Sequence, residues 1–134
     1  MTDRVRRPVP APKAKAGWRR GLGGQAFREG HGAEWIAAAL LMLKGYQVLG
    51  FRLKTVGAEI DILARRGRTL VVVEVKRRAT IETALSAIDP RQLERLRLAG
   101  QALLRQRPSF TGLVLRIDMV ALAPGRIPRH RRNL

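Results

Sequence analysis

The stretch Ala58-Glu59-Ile60-Asp61-Ile62-Leu63, the basic turn Arg65-Arg66-Gly67-Arg68 and the run Leu70-Val71-Val72-Val73-Glu74-Val75-Lys76 together read as two neighbouring strands. Side chains of a strand alternate between its faces, so Glu59 and Asp61 are expected on one face, as are Glu74 and Lys76. Ile60, Ile62, Val73 and Val75 take the other. Three carboxylates and an ammonium then meet at one end of a sheet. Unpaired charge buried away from water is costly. The pattern therefore implies a bound metal, ion pairing or an open, wet cleft.

The apolar positions Ala33, Ile36, Ala37, Leu40, Leu41 and Leu43 recur at helical spacing over Gly32 to Lys44, and Gly45 is placed to end that helix. Tyr46 to Leu53 reads as a strand, with a turn near Gly57. The continuous apolar run in Leu70 to Lys76 suits a central strand covered on both faces. Asp89 and Pro90 have the chemistry of an N-cap and first helical residue. Leu93, Leu96, Ala99, Leu103 and Leu104 form the stripe of that second helix, which Pro108 stops. Leu113 to Leu122 is the last strand, with Val114, Arg116, Asp118 and Val120 on one face. The expected fold class is α/β, a mixed β-sheet flanked by helices in the order α-β-β-β-α-β. The helical crossover before the last strand requires at least one parallel pair.

The chain has 134 residues, enough for one domain with its own core. Residues 1–28 are read as a disordered basic N-terminal arm, 29–123 as the folded domain and 124–134 as a basic C-terminal tail. The formal charge of +17 divides into +7 on the arm, +4 on the tail and +6 on the domain. Polyanions are the partners such a field favours. The chain contains no cysteine, which excludes thiolate metal sites and disulfides, so any metal must prefer oxygen ligands. The longest apolar run, Trp35 to Leu43, falls far short of the roughly 20 residues that span a bilayer. No membrane association is expected, and the N-terminus lacks a secretory h-region. A cytoplasmic location, associated with the nucleoid, is the expectation.

An acid on one strand beside Glu-x-Lys on the next is an economical hydrolytic metal site. Asp61 and Glu74 can hold Mg²⁺ or Mn²⁺ through oxygen, helped by a backbone carbonyl such as that of Val75. Lys76, one pleat along, would lie beside the scissile phosphate, orienting the nucleophile or stabilising the pentavalent state. Glu34 could approach from the first helix as a further ligand. Arg77 and Arg78 follow directly, and at least one is expected to face a phosphate-binding cleft. The residues leave two readings open: a phosphodiesterase site, or charges paired at a solvated strand end.

These pieces, in order and spacing, resemble the bacterial UPF0102 (YraN-like) family, which is similar to PD-(D/E)xK restriction-endonuclease-like and Holliday-junction-resolvase-like nucleases. The resemblance spans about residues 29 to 122. It is carried by Gly32-Ala33-Glu34, Gly45-Tyr46, Ala58-Glu59-Ile60-Asp61-Ile62-Leu63-Ala64, Val73-Glu74-Val75-Lys76-Arg77, Ala87-Ile88 and Arg116-Ile117-Asp118-Met119-Val120. It implies a restriction-endonuclease-like three-layer fold, with Asp61, Glu74 and Lys76 as the catalytic core and Glu34 as the acid of the first helix. It also implies DNA as substrate, branched or structured, and a homodimer of the kind resolvases form. The chain departs from the family at Ala58, where the glycine is shifted to Gly57. It departs again at Gln92, where the family usually has lysine and related branches place a glutamine near the site. Arg91 or Arg95 would then supply the missing charge.

The rival function is a non-catalytic nucleic-acid-binding protein that keeps the fold. Of the remaining residues, His31 reads as incidental, Trp18 as a base-stacking candidate in the arm, and Trp35 as core. Asp118 beside Arg116 reads as a structural ion pair. Arg65, Arg66 and Arg68 fit either a solvated hairpin tip or a DNA contact.

Overall fold

The first helix, α1, runs Gly32–Leu43 in the computed structural model, which describes residues 32–134. The arm read over residues 1–28, with Trp18, and His31 lie outside the described residues. Helix α1 ends in a Schellman arrangement around Gly45, at φ +93°, with the Tyr46 N–H donating to Leu41 O at 2.9 Å and the Gly45 N–H to Met42 O at 3.0 Å. Its buried face is Ala37, Ala38 and Leu41, whereas Ile36 and Leu43 are exposed. The expected stripe was therefore too broad: Leu43 sits two residues past Leu41, about 200° round the helix.

Three strands follow as a meander: β1 Gln47–Thr55, β2 Ala58–Arg66 and β3 Thr69–Arg77. A short helix α2, Ile81–Leu85, and the long α3, Pro90–Gln106, then cross over the sheet to β4, Val114–Leu122. The sheet order is β1-β2-β3-β4-β5, with only the β3·β4 pair parallel. That parallel pair is what the helical crossover required. Helix α3 begins where expected: Asp89 Oδ1 accepts the Gln92 N–H at 2.7 Å, and Pro90 holds the first helical position.

Helices cover both faces. On one side α3 places Leu96, Ala99 and Leu103 against Leu63, Leu70, Val72 and Ile117. On the other, α1 places Ala37, Ala38 and Leu41 with Ile62, Ala64, Val71, Val73 and Val120. Strand β3 is covered on both faces, as its unbroken apolar run requires. Helix α3 sits unusually close to the sheet, because a Cβ at Gly100 would come within 2.6 Å of Leu115 Cδ1.

Two features differ from the sequence expectation. The segment read as a basic tail contains a fifth strand, β5 (Arg129–Arg131), paired antiparallel with Met119–Ala121. It is tied down by the His130 side chain on Asp118 and by the Leu134 N–H, which donates to Ile117 O at 2.8 Å. The polar connection after β3 contains α2, capped by Thr80, with Ile81 and Ala84 buried.

The alternation along β2 also breaks. Ile60 packs in the α3-side layer and Ile62 in the α1-side layer, so these two do not share a face. Strand β1 breaks in step, with Leu53 on the α3 side and Phe51 on the α1 side. Between them lies Arg52 at φ +51°, facing Asp61 in the register set by Phe51↔Ile62 and Leu53↔Ile60. A bulky non-glycine residue in the left-handed region is uncommon and locally strained. Here it re-aims two strands at the position where the charged residues begin.

Candidate active site

The β2·β3 ladder runs from Arg66↔Thr69 to Ile62↔Val73 and ends there. Asp61 and Glu74 are the next residues on each strand. At this fork the Asp61 side chain takes over a backbone role: the Val75 N–H donates to Asp61 Oδ2 at 2.8 Å. An otherwise orphaned donor on β3 is satisfied, and the carboxylate is fixed beside Glu74.

Glu74 is buried and lies on the α3 side of β3. Its Oε2 accepts from Gln92 Nε2 at 2.8 Å and lies 3.1 Å from Lys76 Nζ. Gln92 comes from the first turns of α3, so the Asp89 cap that starts this helix also sets where Gln92 reaches the strand. The Asp61 carboxyl is within hydrogen-bonding reach of Glu74. Burial first, and then the Glu74 charge, push its pKa up to about 6, against the opposing pull of the Val75 N–H and Lys76. Two carboxylates held this close in a half-buried fork favour a shared proton or a cation.

Asp61, Glu74, Lys76 and Gln92 are thus brought together. Gln92 was legible only through family resemblance, and it contacts Glu74 directly. Glu34 lies half-buried in the first turn of α1. Among the described residues no group of three or more His, Asp or Glu side chains is placed to hold a metal ion, so Asp61 and Glu74 stand as a pair. Glu59 is set apart from that pair, its Oε2 lying 4.0 Å from Arg52 Nε on the exposed hairpin.

Arg77 and Arg78 are exposed at the end of β3, and Arg91 and Arg95 are exposed on α3 near its start. All four are exposed cations on, or next to, the two elements that carry Glu74, Lys76 and Gln92. Arg65, Arg66 and Arg68 belong to the opposite end of the sheet, where Arg65 Nε donates to Gly67 O at 3.1 Å and Arg66 lies 5.4 Å from the Tyr46 ring centre. Their solvated-tip reading fits this placement.

Asp118, the remaining buried acid, forms a separate cluster. Arg116 donates to both its oxygens at 2.9 Å, His130 Nε2 lies 2.8 Å from Oδ2, and the Asn133 N–H donates to Oδ1 at 3.0 Å. Burial would raise its pKa, but the His130, Arg116 and Asn133 bonds prevail and hold it at about 2. The expected Arg116–Asp118 ion pair is present, and Arg116 also donates to the Tyr46 hydroxyl.

The profile of the Uncharacterised protein family UPF0102 matches residues 33–122, from the start of α1 to the end of β4. The chain belongs to this family. A UPF0102 protein of Caulobacter vibrioides strain NA1000 is 54% identical over 115 residues, covering 86% of this chain and 92% of the relative. One from Parvibaculum lavamentivorans is 48% identical over 120 residues, 90% of each chain. A third, from Methylorubrum extorquens, is 48% identical over 104 residues, 78% of this chain and 81% of its own. In this UPF0102 chain the matched segment contains the whole fork and Gln92, and it stops short of β5. None of the described helices is long and apolar enough to cross a membrane.

Proposed function

We propose that this UPF0102 chain is a metal-dependent nuclease that hydrolyses phosphodiester bonds in DNA in the cytoplasm, at the nucleoid. Branched or structured DNA is the substrate favoured by analogy with resolvases. The observation that carries the proposal is the fork itself: Asp61 and Glu74 within reach of each other, with Lys76 and Gln92 both on Glu74 Oε2. An all-oxygen pair in which burial and then mutual repulsion raise one pKa fits a hard divalent cation that would keep water and substrate phosphate among its ligands. Asp61 and Glu74 would hold Mg²⁺ or Mn²⁺, and Glu34 is the candidate to join them through water. When bound, such an ion lowers the pKa of a water and neutralises charge on the phosphoryl oxygens.

The protein's own groups do the rest. Lys76, fixed by Glu74, offers its ammonium to the attacking water or to the charge that builds on phosphorus. Gln92 restrains the Glu74 carboxylate and can turn its amide toward a phosphate oxygen, and Arg91 and Arg95 contribute the charge it lacks. Arg77 and Arg78 hold the flanking backbone.

Purified protein should cleave at least one of linear, branched or single-stranded DNA with Mg²⁺ or Mn²⁺. Glu74→Ala and Lys76→Ala should each abolish cleavage and leave binding in place. The net charge of +17, which would attract a polyanion with or without the carboxylates, supports a second reading, a non-catalytic DNA-binding protein. No cleavage of any of these substrates with either metal would establish that reading instead.

A further inference from the structure

Two chain turns project from the same end of the sheet as the fork, one on each side of it. The β1·β2 register closes at Thr55↔Ala58, leaving Val56-Gly57 as a two-residue turn. Gly57 takes φ +93°, and the Thr55 hydroxyl donates to Ala58 O at 2.7 Å. This is the turn that accommodates the shifted glycine, and it holds Val56 outward. On the other side, β4 ends at Leu122 beside Arg77, and the chain turns through Pro124-Gly125-Arg126-Ile127-Pro128 before β5 returns along Ala121. Strand β3, with Glu74 and Lys76, lies between the two.

Each tip presents an aliphatic side chain almost wholly to solvent: Val56 is 102% exposed and Ile127 86%. Single exposed aliphatics are ordinary on protein surfaces, but these two flank one charged fork and are accompanied by cations. Lys54 lies beside the first tip, and Arg126 and Arg129 beside the second, all exposed. Residues 124–134 contain four arginines and no acid. A hollow of about 400 Å³, lined by Ile81, Gly125, Arg126, Ile127, Pro128 and Arg129, opens next to Ile127.

Resting on the DNA reading above, we infer that the two turns form a clamp that straddles the scissile phosphate. Lys54, Arg126 and Arg129 engage the phosphates on either side, while Val56 and Ile127 press as wedges against base faces that are not fully stacked. The charge selects a polyanion, and an aliphatic wedge gains contact only where bases are unstacked or a groove is opened. The clamp therefore favours DNA with an interrupted stack over an intact duplex. A protein partner would bury the same aliphatics but would face Arg126 and Arg129 at the second tip, with no acid in residues 124–134 to offset them.

The test is fluorescence anisotropy of the full chain in EDTA, comparing a labelled duplex with the same duplex carrying a short single-stranded gap. Chelation makes the result independent of cleavage, so an inactive protein would leave this inference standing while sinking the nuclease proposal. Wild type should bind the gapped DNA at least ~5-fold tighter. The double variant Val56→Ser, Ile127→Ser should lose that preference and keep its affinity for the duplex. Arg126→Ala with Arg129→Ala should weaken both complexes and flatten the slope of log affinity against log salt by about 2. Equal binding of both DNAs by wild type, or a preference that survives the serine variant, would overturn the clamp. So would an equal loss on both DNAs in the serine variant.

Discussion

Asp61 on β2 and Asp118 on β4 stand two strands apart in one sheet, yet burial acts on them with opposite outcomes. Asp118 is enclosed by Arg116, His130 and the Asn133 N–H, and its pKa falls to about 2. Asp61 has one backbone donor and a second carboxylate for a neighbour, and its pKa rises to about 6. The first arrangement is complete within the protein and anchors the C-terminal segment. The second keeps two carboxylates in contact despite Lys76 and Gln92 on Glu74, and it is at such places that raised carboxyl pKa values accompany function.

The largest effect should come from breaking the closed cluster. Asp118→Ala leaves the partly buried Arg116 without its carboxylate, and chemical denaturation should show a loss of about 3–5 kcal/mol. Asp61→Asn should do the reverse, raising stability at pH 7 by about 1–2 kcal/mol because a charge that is buried and repelled by Glu74 is removed, while eliminating the proposed cleavage. A loss of stability in Asp61→Asn would mean that the fork is a structural ion cluster.

The pH dependence separates the two in sign. Asp61, with its folded pKa raised, should make the protein more stable as pH falls from about 6 towards its unfolded value of 3.8, and Asp61→Asn should lack that rise. Asp118, with its folded pKa depressed, contributes stability above 3.8 that is lost as pH falls towards about 2. Thermal melts from pH 7 down to pH 2 would resolve both limbs.

A smaller effect tests the open cluster directly. Millimolar Mg²⁺ should raise the melting temperature of wild type by a few degrees at pH 7.5, in line with ligand linkage of about 1 kcal/mol. The shift should vanish in Asp61→Asn and shrink at pH 5. The smallest effect is His130→Ala, which removes one of several donors to Asp118 at a cost of about 1 kcal/mol. Hydrogen exchange should then speed up in residues 129–134 more than in β4.

The charged half of this contrast was legible in the sequence because acids and a lysine interrupt runs that are otherwise Val, Ile and Leu. The parallel pair, the Asp89 cap and the α3 stripe followed from periodicity and turn chemistry in the same way. The reversal of faces at Arg52 and Asp61 was not legible, since reading a strand by alternation assumes an unbroken period of two. Strand β5 was hidden because three residues, Arg129-His130-Arg131, carry no apolar pattern; what holds them is a histidine reaching a buried acid on β4. The Gln92 contact depends on how α3 meets β3, which no local pattern encodes.

That meeting point has a mechanical consequence. Gly100 lets α3 rest directly on Val72 and Leu115, and Gln92 lies eight residues back, about 12 Å along the same axis. The helix is a lever with Gly100 as its fulcrum. A methyl group there, Gly100→Ala, would lift the rod and swing its far end, changing the distance from the Gln92 amide to Glu74. The reach of the fork could thus be adjusted from a buried glycine that lies outside it.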